Sequence, residues 1–122
     1  LSKRVLIVDD ALFMRTMLRD IFTTAGWQVI AEAETGEQAI TAYHEQQPDL
    51  VTMDLVMPEM GGIEALQAIL RDAPDAAIVV CSALGQKSLI LDAINSGAKD
   101  FIVKPFQSAQ VLEVVERVIS ES

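Results

Sequence analysis

The sequence predicts an α/β fold: a doubly wound, five-stranded parallel sheet of order 2-1-3-4-5, flanked by five helices. Three observations predict it. Five short apolar runs alternate with five segments of helical periodicity, so the chain reads strand then helix five times over. The first, third and fourth runs are unbroken, as strands covered on both faces must be, whereas the second and fifth are diluted or short and belong at the edges. At 122 residues the chain has room for one domain, residues 1–122, with a single real core.

The elements follow in order. Val5, Leu6, Ile7 and Val8 make the first strand, closed by Asp9 and Asp10. The first helix carries Leu12, Met14, Met17, Leu18, Ile21 and Phe22 on its apolar face, and the loop with Gly26 ends it. Trp27 leads into the second strand, residues 28–32, where Gln28 and Glu32 mark an edge position. The second helix spans residues 36–46, ahead of Pro48. Residues 50–53 form the third strand, closed by Asp54; the third helix follows Gly61 and Gly62 and stops near Pro74. The fourth strand, residues 78–81, is closed by Ser82, and the fourth helix runs from about Gln86 to the stop at Gly97. The fifth strand, residues 101–103, is short, preceded by Lys99 and Asp100 and closed by Lys104; the fifth helix runs from Ser108 to the end. Right-handed crossovers then put the first and last helices on one face of the sheet and the middle three on the other.

Composition narrows the function. Hydrophobic residues are 51% and charged residues 22% of the chain, as in a globular protein, and no run approaches the length of a membrane span. The opening residues Leu1, Ser2, Lys3 and Arg4 resemble no signal peptide, so a cytoplasmic protein without membrane insertion is expected. A net charge of −9, with scattered basic residues, argues against direct nucleic-acid contact. The lone Cys81 lies inside an apolar strand and reads as a buried structural thiol, with no disulfide framework.

Parallel strands share one carboxyl edge, so Asp9, Asp10, Asp54, Ser82 and Lys104 converge there. The order is the flavodoxin-like one, whose ligand crevice opens between the first and third strands. Asp9, Asp10 and Asp54 line it. A phosphate-binding loop would need Gly or Ser at this turn; three carboxylates repel one another instead, by roughly 4 kcal/mol per pair at 4 Å and an effective dielectric of 20. A hard divalent cation relieves that, and Mg²⁺ suits an open, oxygen-only site. Taken singly, Asp10 reads as the N-cap of the first helix, Asp54 and Ser82 as turn residues and Lys104 as a solvated charge. Their joint placement at the strand ends favours a shared site.

In these residues the chain resembles the receiver domains of two-component response regulators over its whole length, most of all the chemotaxis, CheY-like type. The motifs are Val8-Asp9-Asp10 followed by Phe13-Met14-Arg15, Met53-Asp54 followed by Met57-Pro58, Cys81-Ser82-Ala83, and Gly97-Ala98-Lys99-Asp100-Phe101 leading into Lys104-Pro105-Phe106. The resemblance implies that Asp54 is the phosphoacceptor, phosphorylated by a histidine kinase, and that Asp9, Asp10, Asp54 and the main-chain carbonyl of Val56 hold Mg²⁺. Lys104 and Ser82 would contact the phosphoryl oxygens, in line with a reaction dominated by positioning and charge neutralisation. Ser82 and Phe101 would form the switch pair, and the Lys104-Pro105 bond would be cis. Apolar residues Leu89, Ile90 and Leu91, with the wide apolar face of Val111, Leu112, Val114, Val115, Val118 and Ile119, suggest a partner surface on the fourth helix, fifth strand and fifth helix. The flagellar motor switch is one candidate target.

Other readings stand beside this one. An Mg²⁺-dependent aspartyl-phosphate phosphohydrolase would carry a second Asp two residues after its nucleophile, where this chain has Val56. Self-phosphorylation and slow self-dephosphorylation are therefore expected rather than enzymatic turnover. A flavin electron carrier of the same topology is opposed by the acidic first loop. A receiver excised from a multidomain regulator, such as a transcription factor, shares all the chemistry; a stand-alone receiver is the expectation here, since no linker-like segment follows Ser120. His44, in a polar helical segment, reads as solvated. Gly61 and Gly62, where relatives carry Asn-Gly or Asp-Gly, read as a loosened entry to the third helix.

Overall fold

Five parallel strands, β1 (Arg4–Val8), β2 (Gln28–Ala33), β3 (Leu50–Asp54), β4 (Ile78–Ser82) and β5 (Asp100–Val103), form one sheet of order β2-β1-β3-β4-β5 in a computed structural model that describes residues 3–121. Five helices connect and close them: α1 (Leu12–Thr24), α2 (Gly36–Gln46), α3 (Gly62–Asp72), α4 (Lys87–Asn95) and α5 (Ser108–Ser120). The expected class and order hold. The readings that touched Leu1, Ser2 and Ser122 lie outside the described residues. Among the described residues no helix is long and apolar enough to cross a membrane.

Side-chain alternation along the buried strands builds a separate core on each face of the sheet. Val5, Ile7, Leu50, Val79, Cys81 and Ile102 pack with Leu18 and Phe22 of α1 and Val111, Val114, Val115 and Val118 of α5. Leu6, Val8, Val51, Met53, Ile78 and Val80 pack with Ala39 of α2, Ala65, Leu66 and Ile69 of α3, and Ala93 of α4. The helices divide between the faces as right-handed crossovers require. β1, β3 and β4 are buried almost throughout, while β2 is half-exposed, which is why only the central runs read as continuous apolar sequence.

Two local features, at Leu12 and Gly62, differ from the sequence reading, and a third rules out the single-residue alternative for Asp10. Leu12 does not join the apolar face of α1; it is 66% exposed, and the buried stripe is Arg15, Leu18 and Phe22. Asp10 does not cap α1, whose N-cap is Ala11 without a side-chain bond. Gly62 is a packing requirement rather than a loosened entry: a Cβ there would stand 2.1 Å from the main-chain oxygen of Asp54 and 2.8 Å from the Cα of Leu55. The absent side chain lets α3 start against the end of β3, and Gly62 N donates to Leu55 O at 3.1 Å.

The edge strand carries a bulge. Val5 pairs with Val29 and Leu6 with Ala31, so Ile30 is an extra residue on β2. Trp27, just ahead of β2, meets Phe22 edge-on with ring centroids 5.3 Å apart, at the end of the sheet opposite Asp54.

Candidate functional site

The site forms where β1, β3, β4 and β5 end. The ladder runs to the polar residues themselves: Leu55 N donates to Cys81 O at 3.1 Å and Lys104 N to Ser82 O at 2.8 Å, so Asp54 and Ser82 belong to β3 and β4. Asp9, Asp10 and Asp54 each place a carboxylate oxygen within 4.8 Å of the others. Asp9 and Asp54 are buried, at 1% and 4% exposure, and Asp10 faces solvent.

Asp9 is hydrogen-bonded at three of its four polar atoms, and its buried Oδ2 has the Lys104 ammonium as an ion-pair partner without a well-aligned hydrogen bond. Its N–H donates to Ala33 O at 3.0 Å, its carbonyl accepts from Arg15 Nη1 at 2.8 Å, its Oδ1 accepts from Ala11 N at 2.9 Å, and its Oδ2 lies 2.9 Å from Lys104 Nζ. Asp54 Oδ1 accepts from Val56 N at 3.4 Å and faces Lys104 Nζ at the same distance. Burial, and then the charge of Asp9, push the Asp54 carboxyl up to about 6, while Lys104 and the Val56 amide pull it down. Burial works against the Lys104 ammonium, but its bond to Asp9 and the charges of Asp54 and Asp9 outweigh that and raise its pKa. The ammonium is therefore a fixed positive charge between two carboxylates.

Ser82 is fully buried, and its Oγ has no hydrogen-bond partner among the described residues. An orphaned buried hydroxyl at the rim of an acidic cleft is a donor waiting for an acceptor. Ala83, beside it, donates its N–H to Gln86 Oε1 at 2.8 Å, and this ties down the loop before α4. Phe101 is 40% exposed, so its ring points away from the core. The Lys104-Pro105 peptide is cis, as expected. Cys81 is buried, and burial first, then the nearby Asp54, drive its thiol pKa far upward, which makes it an inert core residue. His44 is exposed, and its Nε2 lies 3.3 Å from Asp72 Oδ2 of α3, an interhelical contact that the sequence did not suggest.

The donor set suits a small hard cation. Three carboxylates, two of them buried, offer only oxygen, and one lysine offsets only part of their charge. Val56 presents its amide to Asp54 and an exposed apolar side chain to solvent, so no acid or base stands two residues beyond Asp54. The sequence reading missed Arg15 and Gln86 as parts of the site. Arg15 carried a signal: it shares the helical stripe of Leu18 and Phe22, where a charged side chain needs a buried partner.

Comparison with known proteins agrees with this geometry. The model of the response regulator receiver domain family matches residues 5–116. The chemotaxis protein CheY of Thermotoga maritima is 55% identical over 97% of this chain and 98% of its own length, and that of Bacillus subtilis 54% identical over 98% and 100%. Among solved structures, a chain from the CheX-CheY-BeF3-Mg²⁺ complex of Borrelia burgdorferi superposes with a TM-score of 0.91 at 42% identity, covering 95% of this chain and 88% of that one.

Proposed function

The chain belongs to the response regulator receiver domain family and is CheY-like, and from that premise we propose that Asp54 takes a phosphoryl group from a histidine kinase and that a protein partner reads the result. One observation carries the reading. Asp54 is a buried carboxylate whose pKa is raised only to about 6, so it is mostly ionised at pH 7, and it has an ammonium within 3.4 Å. That is a nucleophile beside a ready counter-charge.

Asp9, Asp10 and Asp54, with the main-chain carbonyl of Val56, would hold Mg²⁺, which offsets the charge on the transferring phosphoryl oxygens. The Asp54 carboxylate attacks phosphorus; the new O–P bond forms as the P–N bond to the donor imidazole breaks, and the imidazole keeps the electron pair. Lys104 turns from Asp9 to a phosphoryl oxygen, and the unpartnered Ser82 hydroxyl gains an acceptor. Movement of Ser82 opens space toward which the exposed Phe101 ring turns. Val56 supplies no acid-base group, so the acyl phosphate persists, and the chain dephosphorylates itself slowly rather than turning over a separate substrate.

The face of α4, β5 and α5 is the proposed output surface. Leu91, Ile94 and Phe101 are exposed there, whereas Val111, Leu112, Val114, Val115, Val118 and Ile119 of α5 are buried or half-buried. Turning Phe101 inward would change the apolar character of exactly that patch. The reading takes the chain as a single receiver domain in the cytoplasm, with a chemotaxis target such as the flagellar motor switch.

Incubation with acetyl phosphate, with and without Mg²⁺, tests the chemistry by intact mass. Wild type should gain one labile phosphoryl group only with Mg²⁺, and Asp54→Asn none. No gain in wild type would withdraw the signalling reading. Unchanged partner binding with and without beryllofluoride would sink the output face.

A further inference from the structure

We propose that Arg15 is a positioning residue for the cation site, one that sets the direction of Asp10 through the main chain of Asp9. The inference rests on the metal-binding role proposed above. Arg15 is 7% exposed, on a helical stripe otherwise made of Leu18 and Phe22. Its guanidinium reaches three acceptors in three directions: Asp9 O at 2.8 Å, Glu32 Oε1 at 3.1 Å and Glu34 Oε1 at 3.4 Å. Arg19 also grips Glu32, so the two arginines and two glutamates form a charge-balanced group behind the acidic loop.

The Asp9 carbonyl is the lever. It lies in the planar peptide that joins Asp9 to Asp10, so fixing its oxygen fixes the plane from which the Asp10 chain departs. Asp10 needs that help. Its side chain is exposed and has no hydrogen-bond partner among the described residues, whereas Asp9 is hydrogen-bonded at its N–H, carbonyl and Oδ1 and ion-paired to Lys104 at Oδ2. A cation ligand on an unrestrained exposed side chain is only as well placed as the backbone beneath it. The fork is also what a lysine cannot copy, since one ammonium on a flexible stem cannot span acceptors in the loop after β1, on β2 and in the loop after β2.

Charge and position predict opposite signs. Loss of a cation beside three carboxylates would tighten Mg²⁺ binding; loss of the backbone anchor would weaken it. Supporting groups behind metal ligands typically carry about 10- to 100-fold in affinity. Mg²⁺ titration calorimetry on wild type, Arg15→Lys, Arg15→Met and the double variant Arg15→Met/Glu32→Met tests the proposal, with folding checked by circular dichroism. The double variant leaves net charge unchanged and no unpaired buried ion at this contact, so it keeps the test available if a single variant unfolds.

The expected result is about 10-fold weaker Mg²⁺ binding in every folded variant. In acetyl phosphate reactions the Mg²⁺ concentration for half-maximal rate should rise equally, with the rate at saturating Mg²⁺ near that of wild type. Wild-type affinity in Arg15→Lys or in the double variant, or tighter binding in Arg15→Met, overturns it. Absence of Mg²⁺ binding by wild type instead overturns the metal site itself.

Discussion

Lys104 Nζ lies closer to Asp9 than to Asp54, 2.9 Å against 3.4 Å, so the resting partner of this lysine is a carboxylate of the proposed cation site. Lys104→Met should therefore separate binding from chemistry. Removing the ammonium should tighten Mg²⁺ binding, because the cation no longer competes with it for Asp9, yet slow phosphorylation by roughly 10²-fold, the cost of losing one donor to a developing charge. Calorimetry and intact-mass kinetics on one preparation would show whether the two effects diverge.

Asp54→Asn should raise stability at pH 7 in Mg²⁺-free buffer. The folded carboxyl titrates at about 6 against an ordinary 3.8, so the folded state holds the proton more tightly than the unfolded chain. Stability then falls as pH rises between about 4 and 6, and the full deficit persists above that. At about 1.4 kcal/mol per pH unit the deficit is on the order of 3 kcal/mol. Urea melts should show a gain approaching that size at pH 7 and little gain at pH 4; equal stability of the two proteins at pH 7 would contradict it.

The two glycines at the start of α3, the N-cap Gly61 and the first helical residue Gly62, should respond oppositely. Gly62→Ala places its Cβ against main-chain atoms that cannot swing away, and a loss of about 1–3 kcal/mol is expected, together with slower phosphorylation as the end of β3 shifts. Gly61 has an ordinary φ of −70°, and the nearest atom to its would-be Cβ is 3.7 Å away. Gly61→Asn supplies an N-cap side chain and should be neutral or better by a few tenths of a kcal/mol. Comparing the two urea midpoints decides between close packing and simple flexibility.

Thr52 is fully buried in β3, and its Oγ1 has no hydrogen-bond partner among the described residues. Thr52→Val keeps the shape and removes the unsatisfied hydroxyl, so stability should rise by about 1 kcal/mol. Acetyl phosphate kinetics should stay unchanged. A destabilised variant would mean that the hydroxyl finds an unrecognised partner.

The chain's architecture was legible because its signals were local. Apolar runs bounded by Asp9, Asp54, Ser82 and Lys104 marked both the strands and the site, since parallel strands end on one edge. What escaped depended on contacts across the fold. Arg15 shows by its place on the stripe of Leu18 and Phe22 that it needs a partner, but not which one until Glu32, 17 residues later, is brought beside it. Gly62 looks flexible until the end of β3 is laid against it. Leu12 has the periodicity of a core residue, yet the helix begins at the exposed rim, where no layer remains to cover it.

The extra residue at Ile30 changes the phase of the edge strand. Val29 packs toward α1 and α5, but Ala31 and Ala33 pack toward the opposite helices, although a regular strand would keep all three on one side. Glu32 is thereby delivered to α1, where Arg15 and Arg19 meet it. Without that offset the carboxylate would point among Ala39 and its neighbours, and Arg15 would be left buried without its principal counter-ion. An irregularity on the outermost strand thus serves as a one-residue spacer, and the length of β2 is coupled to the electrostatics of a site two strands away.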